Sequence, residues 1–203
     1  DDAIAIAMAA GLRDEIEIAG LIATAGNAPI ERTLENTLNM AEALSLGCPV
    51  FRGSAGPLIR RQVCASDFHG ISGLDGPVFR PRKRTECSGN GIRFALDYVL
   101  SHPGEVTFVS VGPLTDLAVM LKSDQEFGKS LKRIVIMGGS LGRGNATDTA
   151  EFNIFADPEA AEIVFSSGTE VVMMGLDATL KVVLDENVLR RNSTLPDTPY
   201  KRL

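Results

Sequence analysis

Short apolar runs along the chain alternate with segments whose apolar residues recur at helical spacing. The runs are rich in β-branched residues and predict strands at 16–24, 48–51, 106–111, 133–137 and 170–176. Helices are predicted at 1–10, 30–46, 91–101, 114–121, 158–165 and 185–191. Strands that are apolar throughout are typical of a parallel sheet that helices cover. The pattern therefore predicts a single α/β domain over residues 1–203, with a mostly parallel central sheet and helices on both faces.

Composition narrows the classes of protein to which the chain can belong. With 203 residues, 44% of them hydrophobic, the chain can build one sizeable core. A net charge of −6 argues against nucleic acid or an anionic membrane as the main partner. No apolar stretch approaches the roughly 18–20 residues of a membrane span. The basic cluster 80–84 is interpreted as a solvated loop.

The cysteines and histidines are few and widely spaced. Three cysteines, at positions 48, 64 and 87, form no CxxC pair, and the chain holds two histidines in all. A zinc site of cysteines and histidines is therefore not expected. Few and widely spaced cysteines are typical of free thiols in a reducing compartment, so a cytoplasmic location is predicted.

Glycine and short polar residues follow several of the predicted strands. Ligands of parallel sheets bind outside the carboxyl ends of the strands, and glycine lets a backbone approach a ligand closely. A shared ligand site is one interpretation of the pattern, and ordinary turn chemistry is the other. The segments concerned are 26–27, 112–115, 138–145 and 177–179.

Two adjacent carboxylates, Asp1 and Asp2, open the first predicted helix. Acidic residues in a first turn are stabilised by the helix dipole, so helix capping is one interpretation. The other is a site for Ca²⁺ or Mg²⁺, because both ions prefer oxygen ligands. One carboxylate would then bind the metal while the other takes a proton from a metal-bound water.

A second polar pair, Glu151 and Asn153, flanks an aromatic residue in an otherwise apolar run. Alternation along an extended chain would place both side chains on one side, where they could hold sugar hydroxyls. The alternative is a solvated loop face just before a helix that Asp157 caps and Pro158 begins.

Four blocks of the chain, in this order, match a known family. They are Asp1-Asp2-Ala3 with its apolar helix, Thr24-Ala25-Gly26-Asn27, Gly112-Pro113-Leu114-Thr115, and residues 137–161 with Gly144-Asn145 and Ala150-Glu151-Phe152-Asn153 among them. On these residues the chain resembles the inosine–uridine preferring nucleoside hydrolases. His69-Gly70 also fits a His-Gly of that family.

The resemblance implies hydrolysis of the N-glycosidic bond of ribonucleosides to ribose and free base, with a tightly bound Ca²⁺. It implies that Asp1 is the general base that activates a Ca²⁺-bound water. Asp2 would bind the ion through its carboxylate and Thr115 through its backbone carbonyl. The implied substrate contacts are Asn27 at the ribose hydroxyls, Met137 in the sugar pocket, Asn145 and Asn153 around the ribose, Glu151 at its 5′ side and His69 near the base.

The chain departs from the family pattern in three ways. The family has a further metal-binding Asp ahead of the Asp pair, and a His-Asp pair well downstream that completes the calcium shell and assists the leaving base. Neither is present here, so we expect the chain to lack both ends of the fold. Asp116 stands where many members have Asn.

Two other functions stay open on the sequence. One is a non-catalytic nucleoside- or sugar-binding member of the same fold, and the other is a metal-dependent phosphohydrolase that uses Asp1 and Asp2. The second is disfavoured because Arg143 is the one basic residue in the glycine-rich segment 138–145, and because no phosphate-binding GxxxxGK[ST] loop occurs. Members of the family are commonly dimers or tetramers, so a homodimer or homotetramer is expected. The sequence does not decide between purine and pyrimidine nucleosides.

Overall fold

Parallel strands flanked by helices make up the protein. The computed structural model describes residues 1–76, 79–183 and 185–193. Its strands are Leu21–Ala23 (β1), Val50–Arg52 (β2), Thr107–Ser110 (β3), Arg133–Met137 (β4) and Val171–Met174 (β5). Its helices are Asp2–Gly11 (α1), Ile30–Ala43 (α2), Ser66–His69 (α3), Gly91–Ser101 (α4), Thr115–Ser123 (α5), Gln125–Ser130 (α6), Phe152–Ala156 (α7), Pro158–Phe165 (α8), Leu176–Thr179 (α9) and Glu186–Ser193 (α10).

The strands pair in parallel throughout the described residues, as predicted. β1 pairs with β2, and β3, β4 and β5 form a second sheet in that order. Among the described residues, the hydrogen-bonded ladder thus forms two sheets, and the parallel α/β fold class is as predicted. β3 is the edge strand of the second sheet, and its Val109 is 61% exposed. Parallel pairing brings the carboxyl ends of neighbouring strands to the same edge of each sheet.

Element boundaries follow the sequence pattern most closely where a local cap defines them. Asn90 caps α4 by accepting the N–H groups of Ile92 and Arg93, and the predicted bounds of α4, β4 and α8 are confirmed. The strand predicted at 16–24 is reduced to three residues, because the chain before Leu21 is irregular and its Ile16 is 42% exposed. The helix predicted to residue 46 ends at Ala43, because Ser45 has a left-handed φ of 54°.

Three apolar clusters hold the helices to the sheets. The largest packs α4, α5, α6 and α8 against the β3–β4–β5 sheet, and its most buried side chains are Leu117, Met120, Phe127, Ile134, Ile136 and Val164. A second cluster packs α2 on β1 and β2, and a third joins α1 to α2 through Ala10, Met40 and Leu44. Within the described residues, no helix has the length and apolar character needed to cross a membrane.

Candidate functional site

The carboxyl ends of β1, β2 and β3 lie against one another. A Cβ on Gly26 would lie 2.8 Å from Cδ of Pro113, and one on Gly112 would lie 3.1 Å from Cγ2 of Thr24. The segment after β2 joins the same region, because the Ala25 N–H donates to the Ser54 carbonyl oxygen at 3.0 Å. The glycines are required here because a side chain would separate the strand ends. Of the glycine-containing strand ends that the sequence singles out, those of β1 and β3 therefore lie together here, and the end of β2 joins them.

Thr115 begins α5 at this junction and is only 4% exposed. Its hydroxyl donates to Oδ2 of Asp157 at 2.6 Å. A small cavity of about 10 Å³, on the order of one water molecule, is lined by Thr115, Gly26, Pro57, Gln62, Val63, Ala25, Pro113 and Ala156. The structure thus places Thr115 beside the segment that carries Asn27.

Two buried oxygen atoms near this junction have no hydrogen-bond partner among the described residues. They are Oγ1 of Thr24 and Oδ2 of Asp116. The other oxygen of Asp116 accepts both the backbone N–H and the hydroxyl of Ser54. Buried polar atoms without partners are uncommon, so these two mark a polar region at the strand ends.

Glu151 is buried, and both of its carboxylate oxygens accept backbone N–H groups. Oε1 accepts from Asn153 at 2.9 Å, whereas Oε2 accepts from Gly139 at 2.9 Å and from Ile154 at 3.2 Å. The prediction of an extended, alternating chain through 151–153 is wrong, because Glu151 caps a helix that starts at Phe152. Glu151 and Asn153 are nevertheless both buried, at 3% and 5% exposed. The alternative interpretation, a solvated loop face, is wrong as well.

Asn153 links the ends of β3 and β4. Its Nδ2 donates to the backbone carbonyl oxygens of Val111 and Met137, each at 3.0 Å, and lies 3.4 Å from Sδ of Met137. Asn145 lies beside the same helix, where its Oδ1 accepts the Phe152 N–H at 2.8 Å. The structure therefore brings Met137, Asn145, Glu151 and Asn153 together around the start of α7.

Asn27 and His69 are connected through the backbone of Ala65. The Asn27 carbonyl oxygen accepts the Ala65 N–H at 2.9 Å, and the Ala65 carbonyl oxygen accepts the His69 N–H at 3.1 Å. Both residues are half-buried. His69 ends the short helix α3, within the long segment between β2 and α4. The segment that carries His69 is thus anchored to the end of β1.

Asp1 and Asp2 stand at the start of α1, and the Asp1 carboxylate accepts the Asp2 N–H at 3.1 Å. Protein atoms around the Asp2 carboxyl displace water from it, and this desolvation raises its pKa above the ordinary 3.8. The residue Asp2 is nevertheless exposed at the surface. In the described part of the chain, no hydrogen bond joins either carboxylate to Thr115 or Asn27.

The metal ligands that the sequence predicts are the carboxylate of Asp2 and the backbone carbonyl of Thr115. Both would offer oxygen atoms, which are the donors that Ca²⁺ prefers. Among residues 1–76, 79–183 and 185–193, no three acidic, histidine or cysteine side chains are grouped as a metal site.

A separate cleft lies away from these residues. It measures about 670 Å³ at the carboxyl end of β2 and is lined by Arg52, Gly53, Ser54, Glu86, Cys87, Ser88, Gly89, Asn90 and Ile92. None of the predicted site residues lines it. Ser54 connects it to the junction through its hydrogen bonds to Asp116.

Sequence reasoning identified Asp157 as a helix cap and missed its second role. The cap is confirmed, because Oδ1 accepts the Ala160 N–H at 3.0 Å. Oδ2 accepts from Thr115 and Leu58, which are 42 and 99 residues away along the chain. The local capping pattern gives no signal of these two partners.

A profile of the family described as inosine-uridine preferring nucleoside hydrolase matches residues 1–202. The chain belongs to this family.

Relatives of known name agree with this assignment. The pyrimidine-specific ribonucleoside hydrolase RihB of Escherichia coli strain K12 is 44% identical over 191 residues, which are 94% of this chain and 61% of that protein. The chain thus spans 61% of the length of this curated relative.

Solved structures share the fold. The purine-preferring ribonucleoside hydrolase from Gardnerella vaginalis superposes with a TM-score of 0.86 at 28% identity, covering 94% of this chain and 63% of that one. The plant nucleoside hydrolase PpNRh1 superposes with a TM-score of 0.85 at 28% identity, covering 98% and 65%.

Proposed function

We propose that the protein hydrolyses the N-glycosidic bond of ribonucleosides, giving ribose and free base. The observation that carries the proposal is the cluster of Glu151, Asn153, Asn145 and Met137 at the strand ends, in a chain of the nucleoside hydrolase family. Backbone N–H groups hold the Glu151 carboxylate and the Asn145 amide oxygen in place before any substrate arrives. Such preorganised oxygens stabilise the positive charge that grows on the sugar ring as the bond to the base breaks.

In this proposal Asp1 is the general base. Its carboxylate takes a proton from the water that attacks C1′ of the ribose, and the C–N bonding pair leaves with the base. Asn27 would hold the ribose hydroxyls, Met137 would line the sugar pocket, and His69 would lie near the base. The leaving nitrogen of the base takes up a proton as the bond breaks.

A calcium ion is proposed to be held by the Asp2 carboxylate and the Thr115 backbone carbonyl. When bound, it would orient water and sugar hydroxyls and lower the pKa of that water. The expected result of complete chelation is loss of nucleoside cleavage, with recovery on adding back Ca²⁺. A metal-free preparation that stays fully active would refute the role of calcium.

We propose a preference for pyrimidine nucleosides, because the relative at 44% identity is described as pyrimidine-specific. The test is a panel of uridine, cytidine and inosine with the intact protein, measuring free base and ribose. Uridine and cytidine are expected to give higher kcat/KM values than inosine. Faster cleavage of inosine would refute the preference alone.

Binding of all three nucleosides without turnover would support a non-catalytic binding protein instead. Cleavage of a phosphate ester, with no cleavage of nucleosides, would support a phosphohydrolase.

We further propose that the protein is a cytoplasmic homodimer or homotetramer. Its three cysteines are free, which is typical of proteins from a reducing compartment. Light scattering on the purified intact protein gives its mass directly, and fractionation of the source cells gives its compartment.

A further inference from the structure

Asp157 is a fully buried carboxylate whose two oxygens accept three hydrogen bonds. Oδ1 accepts the Ala160 N–H at 3.0 Å and thereby caps α8. Oδ2 accepts the Thr115 hydroxyl at 2.6 Å and the Leu58 N–H at 2.9 Å. A single oxygen suffices to cap a helix. The second oxygen therefore serves to connect three distant parts of the chain.

The Thr115 hydroxyl has a defined orientation because of this contact. Thr115 is the first residue of α5 and is 4% exposed, so packing and the hydrogen bond to Asp157 together restrict its side chain. The Leu58 N–H belongs to the long segment between β2 and α4. An ion pair between Arg60 and Glu159, at 3.0 Å, anchors the same segment to α8 a few residues further on.

We propose that Asp157 is a positioning residue that, by holding the Thr115 hydroxyl, orients the backbone carbonyl of Thr115 toward the calcium ion. The proposal rests on the proposed function, in which that carbonyl is a ligand. Groups that orient the ligands of a metal affect its binding without touching it, and their loss typically weakens metal affinity about 10–100-fold.

The test measures calcium affinity of the intact protein by titration calorimetry after chelation, together with Tm in the absence of calcium. Thr115→Val removes the hydroxyl and keeps the shape, and Asp157→Asn places an amide nitrogen against either the Ala160 or the Leu58 N–H. Both variants are expected to bind calcium about 10–100-fold more weakly. Thr115→Ser keeps the hydroxyl, so it is expected to bind calcium more tightly than Thr115→Val.

Asp124→Asn is the matched control. Asp124 caps α6 by accepting the Glu126 N–H, so its replacement tests loss of a capping carboxylate outside the proposed site. It is expected to leave calcium affinity unchanged, whatever its effect on Tm.

If Thr115→Val lowers Tm but binds calcium as tightly as the parent, Asp157 has only a structural role and the proposal is overturned. The same conclusion follows if Thr115→Ser and Thr115→Val lose affinity equally. A parent protein that binds no calcium would instead overturn the calcium site of the proposed function, before any variant is compared.

Discussion

Ser54 donates two hydrogen bonds to one carboxylate oxygen of Asp116, from its backbone N–H at 2.9 Å and from its hydroxyl at 2.6 Å. The contact joins the end of β2 to the first turn of α5. The second oxygen of Asp116 is buried and has no partner in the described residues. A Cβ on Gly53 would come close both to this oxygen and to the carbonyl oxygen of Ala23, so both acceptors face Gly53.

Asp116→Asn is expected to stabilise the fold. The amide oxygen would keep the contacts with Ser54, while the amide nitrogen would replace a buried acceptor that has no partner with a donor on the side of the Ala23 carbonyl oxygen. The gain should be about 1 kcal/mol, the net value of one intramolecular hydrogen bond. Urea unfolding of the parent and variant measures it, with Asp116→Ala as a control that should lower the free energy of unfolding. A lower unfolding midpoint for Asp116→Asn would contradict the expectation.

Asp1→Asn should lower kcat for nucleoside cleavage by about 10²–10⁴-fold, the usual contribution of a general base. The fold should be retained, because the Asp1 side chain makes only a local hydrogen bond to the Asp2 N–H. Release of free base measures the rate, and circular dichroism checks the fold. The control is Asp14→Asn, an exposed aspartate just after α1. Undiminished turnover by Asp1→Asn would remove Asp1 from its assigned role.

Gly53→Ala tests how closely the ends of β1 and β2 must approach. The added Cβ would lie within contact distance of Oδ2 of Asp116 and 2.6 Å from the Ala23 carbonyl oxygen. Backbone must shift to admit it, so the free energy of unfolding should fall by about 1–3 kcal/mol. Gly47→Ala is the control, because a Cβ there would meet nothing within 4 Å. Equal unfolding midpoints for the two variants would show that the approach is not tight.

Glu42 should contribute stability that depends on pH. The backbone N–H groups of Arg84 and Lys83 hydrogen-bond its carboxylate and hold its pKa below the ordinary 4.5. Because the folded state favours the charged form, the contribution is complete above pH 4.5 and is lost as the pH falls through the lower, folded-state pKa.

Glu42→Gln should therefore be less stable than the parent at pH 7, with the difference shrinking as the pH falls below 4.5. Urea midpoints across this range measure the effect, and exposed Glu15→Gln is the control. A difference between Glu42→Gln and the parent that does not change with pH would argue against the charge as its cause.

Much of the secondary structure could be predicted because its signals are local. Asn90 caps α4 through N–H groups two and three residues further on, and Asp157 and Pro158 begin α8 in the same way. The helix at 152–156 was missed because Glu151, a capping residue of less usual type, was interpreted as part of an alternating chain. Met137, Asn145, Glu151 and Asn153 were selected by resemblance to a family. Their contacts at the start of α7 depend on the fold, because they come from different segments of the chain.

The sequence by itself determined the class of fold, the family and the residues gathered at the start of α7, because apolar patterning, caps and motifs act over a few neighbouring residues. Only the tertiary structure decided which distant groups donate hydrogen bonds to the same carboxylate oxygen. Ser54 and Asp116 are 62 residues apart, and Leu58 and Asp157 are 99 apart. A buried carboxylate must find donors wherever folding places them, and no local pattern specifies which donors these are.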